Sequence, residues 1–297
     1  MLSAALALVG ALVYGSADFL GGLAARRLRP LAVTAIAALT GLVVLLLALP
    51  FFGNAWLPAD VAWGALSGVT GAIAIVLLYA CLAIGPMSIL SPLTAVVSAV
   101  APMLWGLLVK GETLAPWGYA GLALALVAVV LVGLIPGQRA VRPSARGLAM
   151  AVGAGLAIGA FLIIIDQTSD ESGLVPLLLN RGVNTLITGG AVAVLAVLAV
   201  RAGRSASSAL DAGGRVTLAR RRALWLAIGC GVLDAAANLL LLIALRSGDL
   251  SIVSALTALY PGGTILLAAV VLRERIAAVQ WFGLALALTA GGMLALA

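Results

Sequence analysis

The chain has 297 residues, of which 64% are hydrophobic and only 9% charged, and its mean hydropathy is +1.25. A soluble domain carries about a quarter charged residues, so too little charge is present here to cover a water-facing surface, and lipid must be the solvent for most of the chain. The net charge of +7 does not signal nucleic acid, because the arginines form short clusters between apolar runs, as topology signals do. Histidine is absent, which excludes imidazole metal sites and histidine catalysis. The two cysteines, Cys81 and Cys230, both fall inside apolar runs and predict no disulfide framework.

Ten apolar runs read as transmembrane helices, at 2–25, 31–52, 61–84, 87–109, 114–135, 147–166, 174–200, 223–246, 249–272 and 277–296. The first lacks a basic leader and is longer than a signal-peptide core, so it reads as a span. It carries Tyr14 and Asp18 one turn apart on a face with Gly10, Ala11 and Gly21, with Asp18 two turns from Arg26 and Arg27. The third and fourth spans meet at Gly85-Pro86, a tight hairpin. Span four then places Ser88, Ser91 and Thr94 near its N-terminus, with Pro92 and Pro102 as predicted kinks. Glu112 follows at its end, beside Lys110. Gly64–Gly68 and Gly155–Gly159 are Gly-x-x-x-Gly pairs, read as helix contacts inside the bundle.

Asp166, Asp170 and Glu171 form an acidic turn before span seven and read as solvated. Within span seven, Asn180, Asn184 and Thr188 lie on one polar stripe with Arg181 and Thr185 beside it. Arg181 could hold a substrate carboxylate or phosphate, snorkel to the surface, or pair with Asp234 or the acidic turn. Asp234 lies mid-span in the eighth run with Asn238 one turn on. A buried charge there costs about 2.5–3.5 kcal/mol on insertion scales. Asp234 therefore reads as a proton- or substrate-binding carboxylate, or else as a polar pair knitting helices together. Ser247-Gly248 closes a second hairpin. Ser251, Ser254 and Thr257 repeat the stripe of span four, and Tyr260-Pro261 reads as a kink with an aromatic wall, a candidate gate. Glu112 and Glu274, at span ends beside basic residues, read as structural.

Fourteen of the seventeen Lys and Arg residues lie in loops after odd-numbered spans, against two, Lys110 and Arg246, after even ones. Because cytoplasmic loops are enriched in these residues, both termini are predicted to face outward.

The two halves repeat. Gly121-Leu-Ala-Leu-Ala-Leu126 recurs as Gly283-Leu-Ala-Leu-Ala-Leu288, an offset of 162 that also pairs Glu112 with Glu274 and Trp63 with Trp225. Gly85-Pro-Met-Ser88 answers Gly248-Asp-Leu-Ser251, followed by Ser91 with Ser254 and Thr94 with Thr257. The first two spans of each half match only weakly. Residues 1–138 and 139–297 are thus expected to be two five-helix repeats. An odd number of spans forces the halves into opposite topology, the architecture of many transporters.

The segments 83–134 and 245–294 resemble the EamA-type repeat of the drug/metabolite transporter superfamily. The likeness rests on the small-residue hairpins, on Gly111-Glu112-Thr113-Leu114 and Arg273-Glu274-Arg275-Ile276, and on the Gly-rich last helix. Tyr14-Gly15-Ser16-Ala17-Asp18-Phe19 resembles that family's first helix. The resemblance implies an all-α integral membrane fold of ten transmembrane helices, two inverted repeats around a central cavity, in the plasma or inner membrane. It also implies alternating access and the export or exchange of small metabolites, and it implies cytoplasmic termini, where the arginine count predicts outward ones.

The combined expectation is a secondary transporter of a small amphipathic, amino-acid-like metabolite. Its candidate cavity residues are Tyr14, Asp18, Ser91, Thr94, Asn180, Arg181, Asn184, Asp234, Asn238, Ser254, Thr257 and Tyr260. No cofactor or metal is called for. The expected partners are the bilayer, a small-molecule substrate, protons as a possible coupling ion, and at most a second copy of the chain. The rivals are a non-transporting membrane scaffold and an intramembrane enzyme. The enzyme is disfavoured by scattered single acids and the lack of a Gly-x-Ser-x-Gly elbow, and no nucleotide-binding loop is present to drive pumping by ATP.

Overall fold

The computed structural model describes residues 1–52, 55–84, 87–133, 144–211, 219–273 and 277–297, and the side chains of all of these except 79–84, 87–89, 91 and 92. Eleven α-helices form among the described residues: α1 (Leu2–Ala25), α2 (Pro30–Ala48), α3 (Pro58–Ile84), α4 (Met87–Leu108), α5 (Pro116–Gly133), α6 (Ala145–Asp166), α7 (Val175–Arg201), α8 (Arg220–Arg246), α9 (Leu250–Thr257), α10 (Pro261–Val271) and α11 (Ala278–Ala295). Eight segments of the described residues are long and apolar enough to cross a membrane, with α9 and α10 together making one of them. Residues 93–108 and 116–132 are shorter apolar helices. An α-helix satisfies its own backbone polar groups, which is why lipid-exposed spans take this form.

Local chemistry sets several helix starts. Proline opens α2, α3, α5 and α10, where its fixed φ suits the first turn and its missing N–H costs nothing. Ser144 caps α6 by accepting from the Gly147 N–H at 3.1 Å. The predicted ninth span is divided: a turn at Ala258–Tyr260 separates α9 from α10, where the proline of Tyr260-Pro261 begins the new helix. Pro102, by contrast, is carried inside a continuous α4.

The helices form two compact units, each drawing on both halves of the sequence. The first comprises Met1–Gly15, Ile73–Gln167 and Ala237–Ala297; the second comprises Ser16–Ala72 and Thr168–Ala236.

In the first unit, α4 packs on α6 and on α9, and α5 on α11. Glycine makes these contacts close. A Cβ on Gly155 would lie 2.7 Å from the Thr94 carbonyl oxygen, and one on Gly159 3.0 Å from Ala101 and from Pro102. Gly121 and Gly283 let α5 and α11 cross, against Leu294 and Leu131. At Gly15 the backbone of α1 meets that of α10, and Thr264 Oγ1 donates to the Gly15 carbonyl at 3.0 Å.

In the second unit, α2 packs on α7. Gly64 and Gly68 of α3 seat on Pro176, Leu179, Asn180 and Val183 of α7, and Gly231 of α8 seats on Ala37 and Thr40 of α2. The Gly-x-x-x-Gly pairs are therefore contacts within the chain, as expected. Beyond α7 the chain turns back along α1 and α2: Leu28 bridges Asp211, Arg27 pairs with the Asp211 carboxylate at 2.8 Å, and Arg29 Nε donates to its carbonyl at 3.0 Å.

These crossings show why the first two spans of each half align poorly in sequence. The Gly68 crossing of α3 on α7 is the counterpart of the Gly231 crossing of α8 on α2. Gly68 and Gly231 stand 163 positions apart, but Ala37 and Asn180 only 143. The second half thus carries extra chain between its second and third spans, in the stretch 202–219 that holds Asp211.

Candidate substrate site

Asp18, Arg181 and Asp234 are the charged residues lying well inside membrane-length helices, and all three belong to the second unit. Arg181, six residues into α7, forms an ion pair with the Asp234 carboxylate of α8. Of the alternatives open at Arg181, the structure places it on Asp234. Both side chains are largely enclosed, at 12% and 22% exposure, but neither is sealed off. Gly41 of α2 lies beside the arginine: a Cβ there would sit in ordinary contact, 3.6 Å, with Arg181 Cδ and Nε. In a low-dielectric setting such a pair is mutually neutralising, and either charge alone would be costly.

Around the pair runs the polar stripe predicted on α7. Asn180, buried, donates from Nδ2 to Ser67 Oγ of α3 at 2.9 Å, and Ser67 in turn donates to the Gly64 carbonyl. Thr188 donates to the Asn184 carbonyl at 2.7 Å. Asn184 is buried beside Gly71, and its side-chain oxygen accepts no hydrogen bond from the described residues; the Thr185 hydroxyl likewise has no partner among them. Buried polar atoms without partners are rare in folded proteins, and here they lie on the helix that carries Arg181.

Asp18 lies on α1, in the second unit. Arg27 is engaged by Asp211, and Asp18 instead lies within electrostatic reach of Asp234. Its side chain is exposed. Cys230, one turn before Asp234, lies within reach of Asp18, Asp234 and Arg181 and touches α1 at Gly21. Cys230 was the functional-site neighbour not singled out from sequence, since nothing in its apolar run marks it.

The first unit holds the other candidates. Thr94 is buried and donates to the carbonyls of Leu90 and Ala151, at 3.0 and 3.1 Å, so its hydroxyl joins α4 to α6. On α9, Ser254 donates to the Ser251 carbonyl at 3.1 Å, while the hydroxyls of Ser251 and Thr257, both buried, find no partner among the described residues. Tyr260 stands at the break before α10, and Tyr14 is half-buried on α1. Asn238 is buried on α8, one turn from Asp234. The side chains of Ser88 and Ser91 and all of Gly85, Pro86 and Glu274 lie outside the described residues.

Glu112 has a defined structural task. Its two carboxylate oxygens accept from the backbone N–H groups of Leu250 and Ser251, each at 2.9 Å, capping α9 from another part of the chain. Helix N-termini attract negative charge. Gly106 leaves the space Glu112 occupies. Lys110 approaches Glu112 at 3.7 Å and pairs with Asp166 at 2.8 Å. Asp166, only 4% exposed, is therefore not part of a solvated turn as predicted; Lys110 draws it in. Burial opposes the Lys110 charge, but the Asp166 hydrogen bond and the charges of Asp166, Glu112 and Asp249 outweigh it and hold its amine above the usual lysine value. Burial, followed by the Glu112 charge, pushes Asp249 above the usual carboxylate value against the pull of Lys110. Among the described residues, no group of three or more His, Cys, Asp or Glu is placed to hold a metal ion.

Comparison with known proteins agrees with the helical architecture. A solved structure described only as the crystal structure of a protein superposes with a TM-score of 0.72, covering 99% of this chain and 98% of the other at 16% identity, so the two share a fold. No curated protein matches the chain. The family model for the EamA-like transporter family matches residues 1–134 and again 145–295, one match in each half and nearly the whole length. The protein is a multi-pass membrane protein, and it belongs to the EamA-like transporter family.

Proposed function

We propose that this chain is a secondary active transporter that moves a small amphipathic, amino-acid-like metabolite by alternating access, as an exporter or exchanger. The observation that carries the reading is the Arg181–Asp234 pair, set with Asn180 and Asn184 inside predominantly apolar, membrane-length helices. An ion pair in a lipid-spanning bundle is expensive to assemble and is retained where it binds or couples something. Family membership supports transport. The unpartnered acceptor of Asn184 and the incomplete enclosure of the pair support access by a polar ligand. With five spans in each repeat, the halves insert with opposite topology, and transport proceeds by exchange between two pseudo-equivalent states.

The test is metabolite profiling of the medium from cells expressing wild type or Asp234→Asn at equal membrane abundance. A small set of compounds enriched outside by wild type and not by the variant is the expected result, and it names the substrate. Asp234→Asn alone leaves Arg181 buried without its counter-charge, a loss of about 3–5 kcal/mol. The double variant Arg181→Leu with Asp234→Leu restores most of that stability and should still export nothing. Export by the double variant at the wild-type level sinks the assignment of the pair. A scaffold reading predicts the reverse pattern, altered assembly with no compound differing between any of the media.

A further inference from the structure

We propose that the arginine-rich end of the second unit binds an anionic phospholipid, with Arg221 and Arg222 on the phosphate and Trp225 against the ester and upper acyl region. This surface lies apart from the Arg181–Asp234 pair and does not depend on the transport reading. Ala24 and Leu28, at the end of α1, and Val33 of α2 pack with Ala223 and Ala227 of α8 in one buried cluster, and Leu210 packs against it. The end of α1, the starts of α2 and α8 and the chain returning from α7 therefore form one surface. Its segments, residues 26–30 and 201–222, hold nine arginines and a single acid, Asp211. That acid is engaged by Arg27 and Arg29. Arg26, Arg201, Arg204, Arg221 and Arg222 are exposed, and no acid among the described residues pairs with them. The other end of the same unit is acidic, with Asp60, Asp170 and Glu171 and no Lys or Arg.

The arginines of α8 do not stabilise the helix that carries them. Arg220, Arg221 and Arg222 occupy its first turn with no acid beside them, and a helix N-terminus favours negative charge. Nor does the fold require cations there. The offset of 162 that pairs Trp63 with Trp225 sets Asp60 of α3 in the place of Arg222. Asp60 is buried and accepts from the Ser169 N–H at 3.2 Å. Topology asks for basic residues in a loop, not on a lipid-facing stripe. Along one face of α8, Arg221, Trp225 and Val232 are exposed, the last two at 62% and 42%. Guanidinium, indole and alkyl group thus follow one another down a membrane-length helix, in the order phosphate, ester and acyl chain of a phospholipid. Guanidinium groups match phosphate through bidentate hydrogen bonds, and tryptophan settles at the headgroup level. A soluble polyanion would match the arginines but not the indole and the apolar stripe below it.

The test measures lipid binding to the purified full chain in a neutral detergent by native mass spectrometry. The probes are phosphatidylglycerol, phosphatidylcholine and glycerol phosphate, the last as a water-soluble headgroup. Phosphatidylglycerol should bind about tenfold more tightly than phosphatidylcholine, and glycerol phosphate should not displace it. Arg221→Gln with Arg222→Gln should weaken phosphatidylglycerol by about tenfold, and Trp225→Ala should weaken it as well. Arg146→Gln with Arg273→Gln removes the same charge from the first unit and should leave binding unchanged. Without lipid, the double α8 variant should melt no lower than wild type, because the helix dipole disfavours those cations. Equal affinity for the two lipids, displacement by glycerol phosphate, or equal losses in the two arginine pairs overturns the proposal. A lipid-free loss of folding in the double α8 variant also overturns it, since the arginines would then be structural. Full lipid binding by Trp225→Ala, with the loss confined to the arginine variants, does so too and points to a soluble polyanion.

Discussion

Single residues in this chain do work that their neighbours in sequence do not announce. Glu112 holds two backbone N–H groups 138 and 139 positions away, and Lys110 joins it to Asp166. The raised lysine pKa gives this corner a definite pH dependence. A cation bound more tightly in the folded state contributes its full stabilisation below its ordinary value of 10.5 and loses it as pH climbs through the raised folded value. Thermal unfolding in detergent should therefore show an alkaline loss of stability, and Lys110→Gln should flatten that limb while leaving the neutral-pH curve nearly parallel. Persistence of the same limb in the variant would remove Lys110 from the account. Arg181 makes the complementary point: it has an apparent partner close in sequence, in the acidic turn before α7, and it pairs instead with Asp234 of α8.

At the scale of whole helices, glycine decides which faces meet. With lipid on the outside, helix association draws on close packing more than on hydrophobic burial, and small residues let backbones approach. Gly68 and Gly231 sit at equivalent crossings. A Cβ on the first would lie 2.7 Å from the Asn180 carbonyl oxygen and 2.8 Å from Val183 Cβ; one on the second would lie 2.8 Å from Thr40 Cβ. Gly189 and Gly190 of α7 have open space at the same position. Opposite signs follow. Gly68→Ala and Gly231→Ala should destabilise the detergent-solubilised protein, because backbone on the far side cannot yield. Gly190→Ala should stabilise it by about 0.5–1 kcal/mol through helix propensity alone. Melting temperatures measured side by side check the pair, and equal shifts at Gly68 and Gly190 would contradict the crossing. The break between α9 and α10 belongs to this scale too, since proline ends one hydrogen-bonding ladder and begins another.

For the molecule as a whole, the halves are related by their packing: in the first unit α4 meets α9 and α5 meets α11, and in the second α2 meets α7, each joining equivalent spans of the two repeats. Orientation across the bilayer follows from charge. Fourteen basic residues in one set of loops against two in the other should place those loops in the cytoplasm and both termini outside. Single cysteines at positions 2 and 296, in a background with Cys81 and Cys230 replaced, should react with an impermeant thiol reagent in intact cells. Protection of both until the cells are opened would reverse the orientation and favour the habit of the family.

Composition and periodicity by themselves determined the solvent, the helical class, nearly all the helix positions and the duplication of spans three to five. Those properties are local or statistical: an apolar run of about 20 residues has few other fates, and a repeat with one offset can be read by eye. The polar stripe of α7 and the isolation of Asp234 were legible for the same reason, because polar residues stand out against an apolar background. Only the tertiary structure decided that Arg181 belongs to Asp234, that Glu112 caps α9, and that the weakly matching spans are equivalent at a second offset. Each of these joins residues far apart in the chain. Pairing of that kind depends on which helix faces are brought together, and a one-dimensional pattern holds no record of that distance.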